Sequence, residues 1–297
     1  MADPIRIDDK LTAAFKPERP EDGHKNTFGT VLVCAGSRFM TGAAVLACAS
    51  ALRSGAGLVK VFSEEKVLDA VSSIEPCALL ELRPDEEAGL LRKAIRLSKK
   101  TDSVLIGSGI PADYRHMEAL ISVFLENVKG VVLDAGALTD KKDILSRLTV
   151  RLKNRTVPAV ITPHIGEFAR LTGLTNSEVA DNAGELAVKF ATDNNCVVVL
   201  KSYRTYVAAP DGKLYFCEDA NSGLAKGGSG DVLAGLLAGF LAQGMEPYKA
   251  ACSAVFVHSK AGRAAADDIG TRYMLPTDLM TYLPEGYAEA GWSDNDE

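Results

Sequence analysis

Short apolar runs set apart by helix-forming stretches constrain this chain most. Thr30–Ala35, Leu58–Phe62, Val104–Ile106, Val131–Leu133, Val157–Ile161 and Cys196–Lys201 are apolar nearly throughout, as suits strands buried on both faces. An alanine-rich helix is expected over Gly42–Ser54, with others near Asp113–Asn127 and Ser177–Asp193, and two more over Asp231–Gln243 and Pro247–Asp268. Apolar strands alternating with helices predict a three-layer α/β/α fold around a mostly parallel sheet. Thr205–Ala209 and Leu214–Cys217 flank an Asp211-Gly212 pair. They read as a hairpin that adds an antiparallel edge. No linker, repeat or low-complexity tract interrupts residues 1–297, so a single domain is expected. Residues 1–28 are charged and proline-bearing, an expected surface extension, and Glu285–Glu297 is acidic and expected to fray.

Composition excludes several classes of function. The net charge is −6, and basic pairs such as Lys99-Lys100 and Lys141-Lys142 are short, so nucleic acid is a poor partner. No apolar run reaches membrane-spanning length, and Met1-Ala2-Asp3-Pro4 opens no signal-peptide core. The expectation is a cytoplasmic protein. Six cysteines lie scattered without a CxxC pair, which favours buried free thiols over disulfides or a zinc site.

In sheets of this kind the ligand site lies beyond the carboxyl ends of the strands. Five of the expected strand ends carry unusual residues: Gly36-Ser37, Gly107-Ser108-Gly109, Asp134-Ala135-Gly136, the run from Thr162 to Glu167, and Lys201 to Thr205. Each alone is a routine turn; together they point to one crevice.

The stretch from Asn221 to Gly235 contains Gly227, Gly228, Ser229 and Gly230, followed by Asp231 and a small-residue helix. Glycines there let backbone approach a phosphate, and the helix start favours an anion. Asp231, in the first turn, is placed to take a proton from an attacking alcohol. An Asp in a first turn also serves as plain helix electrostatics, and the glycines as a tight loop. The stretch lacks the Gly-Lys-Ser/Thr of a Walker loop and the spacing of a dinucleotide fingerprint.

Taken together, these segments resemble the ADP/ATP-dependent NAD(P)H-hydrate dehydratases of the ribokinase-like superfamily. The resemblance is carried by His24-Lys25 with Gly29 and Val31–Ser37, by Met40–Ala47 and Ala51–Val59, by Thr162-Pro163-His164-Ile165-Gly166-Glu167, by Asn221–Gly235 and by Leu275–Leu279. It covers nearly the whole chain. The sugar and vitamin kinases of the superfamily usually have Asn where His164 stands. The chain departs from the family pattern at three places. Gly107-Ser108-Gly109-Ile110-Pro111 replaces Gly-Pro-Gly-Leu-Gly, Asp134-Ala135-Gly136-Ala137-Leu138-Thr139 replaces Asp-Ala-Asp-Ala-Leu-Asn, and Ser202 replaces Gly.

The resemblance implies Asp231 as catalytic base. It implies Ala43, Gly109, His164 and Asp231 against a hydrated nicotinamide nucleotide. Lys201, Ser202, Tyr203, Arg204, Thr205, Gly228, Ser229 and Gly230 would face the adenine nucleotide, ADP or ATP. Glu167 would organise Mg²⁺ through water. A separate NAD(P)H-hydrate epimerase in the same pathway and a homotetramer are also implied. The rival readings are a ribokinase-like kinase for a vitamin-precursor alcohol, a non-catalytic nucleotide-binding protein and, more remotely, a Rossmann dehydrogenase. His164 also has two rival readings, as a zinc ligand or as a structural histidine.

Overall fold

The apolar runs form the strands expected of them. A computed structural model describes residues 3–138 and 142–292. Thr139, the side chains of Lys141-Lys142 and the acidic residues beyond Trp292 lie outside the described residues. In chain order the elements begin with β1 (Ile5–Arg6), α1 (Asp9–Ala13), β2 (Thr30–Cys34), α2 (Thr41–Arg53), β3 (Leu58–Ser63) and α3 (Glu65–Ile74). Then come β4 (Leu79–Leu82), α4 (Glu87–Ser98), β5 (Ser103–Ile106), α5 (Met117–Asn127), β6 (Gly130–Leu133) and α6 (Lys142–Lys153). The second half holds β7 (Ala159–Ile161), α7 (Ile165–Thr172), α8 (Asn176–Asp181), α9 (Ala183–Asn194), β8 (Cys196–Leu200), β9 (Thr205–Ala208) and β10 (Leu214–Cys217). It closes with α10 (Ser229–Ala242), α11 (Pro247–Ile269) and α12 (Leu279–Glu289).

One ten-stranded sheet runs in the order β1-β10-β9-β8-β7-β6-β5-β2-β3-β4. From β4 to β8 every pairing is parallel, with Val33 opposite Leu105 and Leu105 opposite Val132. Alternate residues feed opposite layers, as a strand's period of two requires. Val31, Val33, Leu105 and Val132 pack toward α2, α10 and α11. Leu32, Cys34, Val104 and Ile106 pack toward α4, α5 and α9. This is the α/β/α sandwich that the alternation of runs predicts.

Helix α10 is buried along most of its length, from Val232 to Ala242. An all-round apolar helix belongs in the centre of a layer. It lies directly on α2: a Cβ at Gly239 would stand 1.8 Å from Ser54 Oγ, and one at Gly235 would stand 2.2 Å from the Ala47 carbonyl. That contact fixes where the start of α10 meets the sheet.

Three other expectations are corrected, while the hairpin of β9 and β10 is antiparallel and stands toward one edge of the sheet as predicted. Beyond it β1 pairs with β10 in parallel, and the Ile7 amide donates to the Phe216 carbonyl. The 1–28 segment is therefore partly built in, with Ile7 and Thr12 buried. The end of the chain is not frayed as far as residue 292. Glu285 to Glu289 continue α12, and buried Trp292 packs on Phe240 and Tyr287 while donating from Nε1 to the Thr12 carbonyl. Acidic composition hid the apolar side of that helix, marked by Leu279 and Leu283. Finally, the helix expected over Ser177–Asp193 is two helices, broken at Asn182. Among the described residues no helix is long and apolar enough to cross a membrane.

Candidate active site

The carboxyl ends of β5, β6, β7 and β8 converge on Asp134, which follows β6 and is 2% exposed. Each neighbouring strand end supplies one donor. Ser108, after β5, donates from Oγ to Asp134 Oδ2 at 2.8 Å. Thr162, after β7, donates to Oδ1 at 2.7 Å, and Lys201, after β8, donates to the same oxygen at 3.0 Å. The backbone turns sharply next to it, with Ala135 at φ +43°. A non-glycine residue is seldom held in that region unless its surroundings fix it.

Lys201 is drawn both ways. Burial works against its charge, but the attraction of Asp134, Glu167 and Asp231 and the bond to Asp134 hold its pKa above the ordinary lysine value. Its ammonium also lies close to the start of α10, since a Cβ on Gly230 would stand 3.3 Å from Lys201 Nζ.

At that start, Gly228 is the N-cap with φ +110°, a conformation that suits glycine. The first N–H groups of a helix have no acceptor within it, so this end is a natural place for an anion. Ser229 Oγ is buried and has no partner among the described residues. His258 of α11 bonds through Nε2 to the Ser229 carbonyl at 3.0 Å. Burial pushes its pKa down to about 4, so the ring is neutral and Nε2 is the donor. Asp231 is the third residue of α10. Burial first, then the charge of Asp134 and that of Glu167, push its carboxyl up to about 6 against the lowering effect of Lys201 and of the Ser108 hydroxyl.

His164 and Glu167 form a reciprocal cap at the start of α7. The Glu167 amide donates to His164 Nδ1 at 3.2 Å, and Glu167 Oε2 accepts from the His164 amide at 2.8 Å. The other ring nitrogen, Nε2, lies 3.4 Å from Glu167 Oε1, and 55% of the His164 side chain is exposed. A parallel bridge joins His164 to Lys201 across the sheet end. Among the described residues no three His, Cys, Asp or Glu side chains form a metal-holding group, which leaves a zinc reading of His164 without ligands.

Beside these groups opens a cleft of about 780 Å³, lined by His164, Lys201, Ser202, Tyr203, Thr205, Ser229 and Gly230 among others. Most of the residues expected to face a nucleotide thus share one wall. Arg204 and Gly228 do not line it. Arg204 is paired with Glu218 and lies over the Phe216 ring. Gly228 packs against Leu46 and Pro276. Ala43, in the first turn of α2, and Gly109, after β5, meet elsewhere: a Cβ on Gly109 would stand 2.5 Å from that of Ala43. Two of the departures from the family pattern touch each other, since a Cβ on Gly136 would stand 1.9 Å from the Ile110 carbonyl.

Sequence reasoning missed the roles of Asp134, Ser108, Thr162 and His258. An acid directly after an apolar strand was a usable signal for Asp134. For His258, inside a long helix, the sequence carried none.

Comparison with known proteins gives the family. Residues 31–285 match a family model described as NAD(P)H-hydrate dehydratase. The chain is 35% identical over 285 residues to a bifunctional NAD(P)H-hydrate repair enzyme of Moorella thermoacetica, covering 92% of this chain but only 53% of that protein. The chain therefore spans about half the length of such bifunctional relatives. It is 33% identical over 271 residues to an ADP-dependent (S)-NAD(P)H-hydrate dehydratase of Bacillus subtilis, covering 91% of this chain and 93% of that one. The crystal structure of an ADP/ATP-dependent NAD(P)H-hydrate dehydratase from Bacillus subtilis, co-crystallized with ATP/Mg2+, superimposes with a TM-score of 0.83 at 31% identity, over 98% of this chain and 99% of that one. With a ribokinase-like fold and a match over most of its length, the chain belongs to the NAD(P)H-hydrate dehydratase family.

Proposed function

We propose that this protein dehydrates (S)-NADH or (S)-NADPH hydrate at the expense of ADP or ATP, and that Asp231 is its base. The observation that carries the proposal is a half-buried carboxylate, with its pKa raised to about 6, at the start of α10 beside Lys201 and the cleft. A base tuned just below neutral pH is ionised yet still takes a proton readily. Asp231 accepts the proton of the C6 hydroxyl as that oxygen bonds to the terminal phosphorus and the shortened nucleotide leaves. The ring nitrogen lone pair then expels phosphate from C6, and loss of the C5 proton restores the double bond. Ala43, Gly109 and His164 face the hydrated ring. Lys201, Ser202, Tyr203, Thr205, Ser229 and Gly230 face the nucleotide, with Gly228 setting the turn and Arg204 bracing the loop through Glu218. Positioning and fixed charge supply most of the rate in this chemistry.

Mg²⁺ fits the charges present. Asp134, Glu167 and Asp231 surround the single ammonium of Lys201, an excess of negative charge that a polyphosphate approaches best with a divalent cation. Glu167 would hold it through water, because magnesium keeps much of its hydration shell; bound there, it would neutralise charge on the phosphates. The six free cysteines, five of them buried, suit a reducing cytoplasm. A separate epimerase, which the bifunctional relatives suggest, would supply the correct hydrate epimer, and we assign the working form as a homotetramer. Family membership is what favours this reading over a vitamin-precursor kinase, which would use Asp231 in the same way.

The test is a rise in dihydronicotinamide absorbance from hydrated NADH with Mg²⁺ and either nucleotide, together with free phosphate. Asp231→Asn should bind nucleotide and lose about 10³-fold or more in kcat. A stable phosphorylated alcohol with no NADH formed would replace this reading with the kinase.

A further inference from the structure

A second cavity, of about 620 Å³, opens between the segment around Pro17, the ends of α2 and α10, and α12. Helix α10 has 14 residues and so runs about 21 Å. That length separates this cavity from Asp231 and the nucleotide cleft, with which it shares no lining residue among those described.

The floor of the cavity is apolar and aromatic. Met280 and Leu283 line it, and beside them the rings of Tyr287 and Trp292 stack at 5.9 Å and 25°. Both rings are held from outside: the Tyr287 hydroxyl donates to the Arg53 carbonyl at 2.9 Å, and Trp292 Nε1 donates to the Thr12 carbonyl at 2.8 Å. The wall is basic. Lys16, Arg19 and Arg53 line it, and among the described residues no carboxylate does, although the chain carries a net charge of −6. The carbonyl ends of α2 and α10 disfavour an anion by themselves, so these cations are what suit the cavity to one.

The two arginines differ. Arg53 reaches Glu75 at 3.5 Å and the Ala49 carbonyl at 3.3 Å, as suits a cation at a helix end. Arg19 is held as firmly but has no acid. Its guanidinium lies 4.1 Å from the centre of the Phe28 ring, and Nη1 donates to the Gly55 carbonyl at 2.9 Å. Among the described residues no carboxylate neutralises it, and Nε and Nη2 have no acceptor. A guanidinium already fixed in this way loses little rotamer freedom on meeting a planar anion.

We propose that this cavity is a second ligand site, for a flat aromatic molecule carrying one negative charge. The aromatic body lies against Leu283, Tyr287 and Trp292, and the anionic group meets the Nε and Nη2 edge of Arg19. The volume suits a molecule of about two or three rings. Burial of the rings supplies most of the affinity, and Arg19 selects for the charge. The proposal is independent of the reaction at Asp231.

The experiment uses anilinonaphthalene sulfonate as probe, with phenylnaphthylamine as the same aromatic body without the charge. Trp292 is the sole tryptophan of the chain, so quenching of its emission by energy transfer to a bound probe reports occupancy. The sulfonate should bind at a single site per chain, about tenfold or more tighter than the neutral amine. Arg19→Gln should weaken the sulfonate about tenfold and leave the amine nearly unchanged. Ala288→Phe, at an exposed position that lines the cavity, should weaken both probes by filling their space. Thermal melts without probe show whether each variant is folded. Equal affinity for the two probes, or sulfonate binding untouched by either substitution, overturns the proposal. So does a probe signal that appears only when the protein is diluted to monomer, because a second copy of the chain then covers this face.

Discussion

Lys201 Nζ lies 3.0 Å from Asp134 Oδ1, although 67 positions separate the two in sequence. Asp134 ends one central strand and Lys201 follows another two places away in the sheet, with the end of β7 between them. The carboxylate side chain is 3% exposed and the lysine 20%. In so little solvent each charge depends on the other, and the pair fixes the ammonium beside Gly230.

Asp134→Asn should therefore cost more than a surface pair would. Removing one member of a buried pair leaves the other uncompensated, typically at about 3–5 kcal/mol. Lys201→Met alone should also destabilise, but the double variant should be less unstable than the two losses added together. Urea unfolding of the four proteins checks this, and simple additivity would show that the pair is not coupled.

Asp231 gives opposite expectations for stability and activity. Its folded pKa of about 6 lies above the ordinary 3.8. The folded state therefore binds the proton more tightly, and the stability this provides is present below pH 3.8 and lost as pH rises through 6. Asp231→Asn should then be more stable than wild type at neutral pH, by on the order of 1–3 kcal/mol. Activity needs the ionised base, so kcat should fall below about pH 6 in wild type. Thermal melts and a kcat profile from pH 5 to pH 8 test the two signs independently. A variant less stable than wild type at neutral pH would refute the strained-carboxylate account.

Much of this arrangement was legible in the sequence, for identifiable reasons. Unbroken apolar runs such as Val31–Cys34 can be buried only on both faces, so they announce central parallel strands. The turn at Gly228 and the acid at Asp231 are local signals and were read directly. Residues 64–102 were not resolved into elements because α3, β4 and α4 are amphipathic and peripheral, with Leu79, Leu80 and Leu82 largely exposed. The links from Ser108 and Thr162 to Asp134 depend on strand register, which no local pattern encodes. Trp292 was lost in an acidic context, and its contact with Thr12 spans almost the whole chain.

Gly230→Ala tests how tightly the start of α10 is set against Lys201. The added Cβ would stand 3.3 Å from Nζ, close but against the far end of a flexible side chain. Stability should change by less than about 1 kcal/mol, since Ala suits a helix better than Gly. The ammonium must shift by a few tenths of an ångström, so nucleotide KM should rise about five- to tenfold, with a smaller fall in kcat. Steady-state kinetics at saturating hydrate check the split. An unchanged KM would mean that Lys201 does not meet the nucleotide at this turn.

His258 is expected to make the protein sensitive to mild acid. Burial lowers its pKa from 6.5 to about 4, and its Nε2–H is committed to the Ser229 carbonyl. The unfolded chain takes up a proton near pH 6.5, whereas the folded one resists until about pH 4. Stability is therefore lost as pH falls through that window, by about 3 kcal/mol in the limit. Asp231 acts with the opposite sign between pH 3.8 and 6, so the wild-type slope alone is ambiguous and a variant is needed. His258→Gln keeps an N–H donor for Ser229 and removes the titration. It should lose some stability at pH 7.5 through imperfect packing, but the gap to wild type should narrow steadily toward pH 5. Urea unfolding at four or five pH values measures that gap. If the gap stays constant, His258 is either protonated in the folded state or not buried as the structure has it, and the neutral donor to Ser229 is wrong.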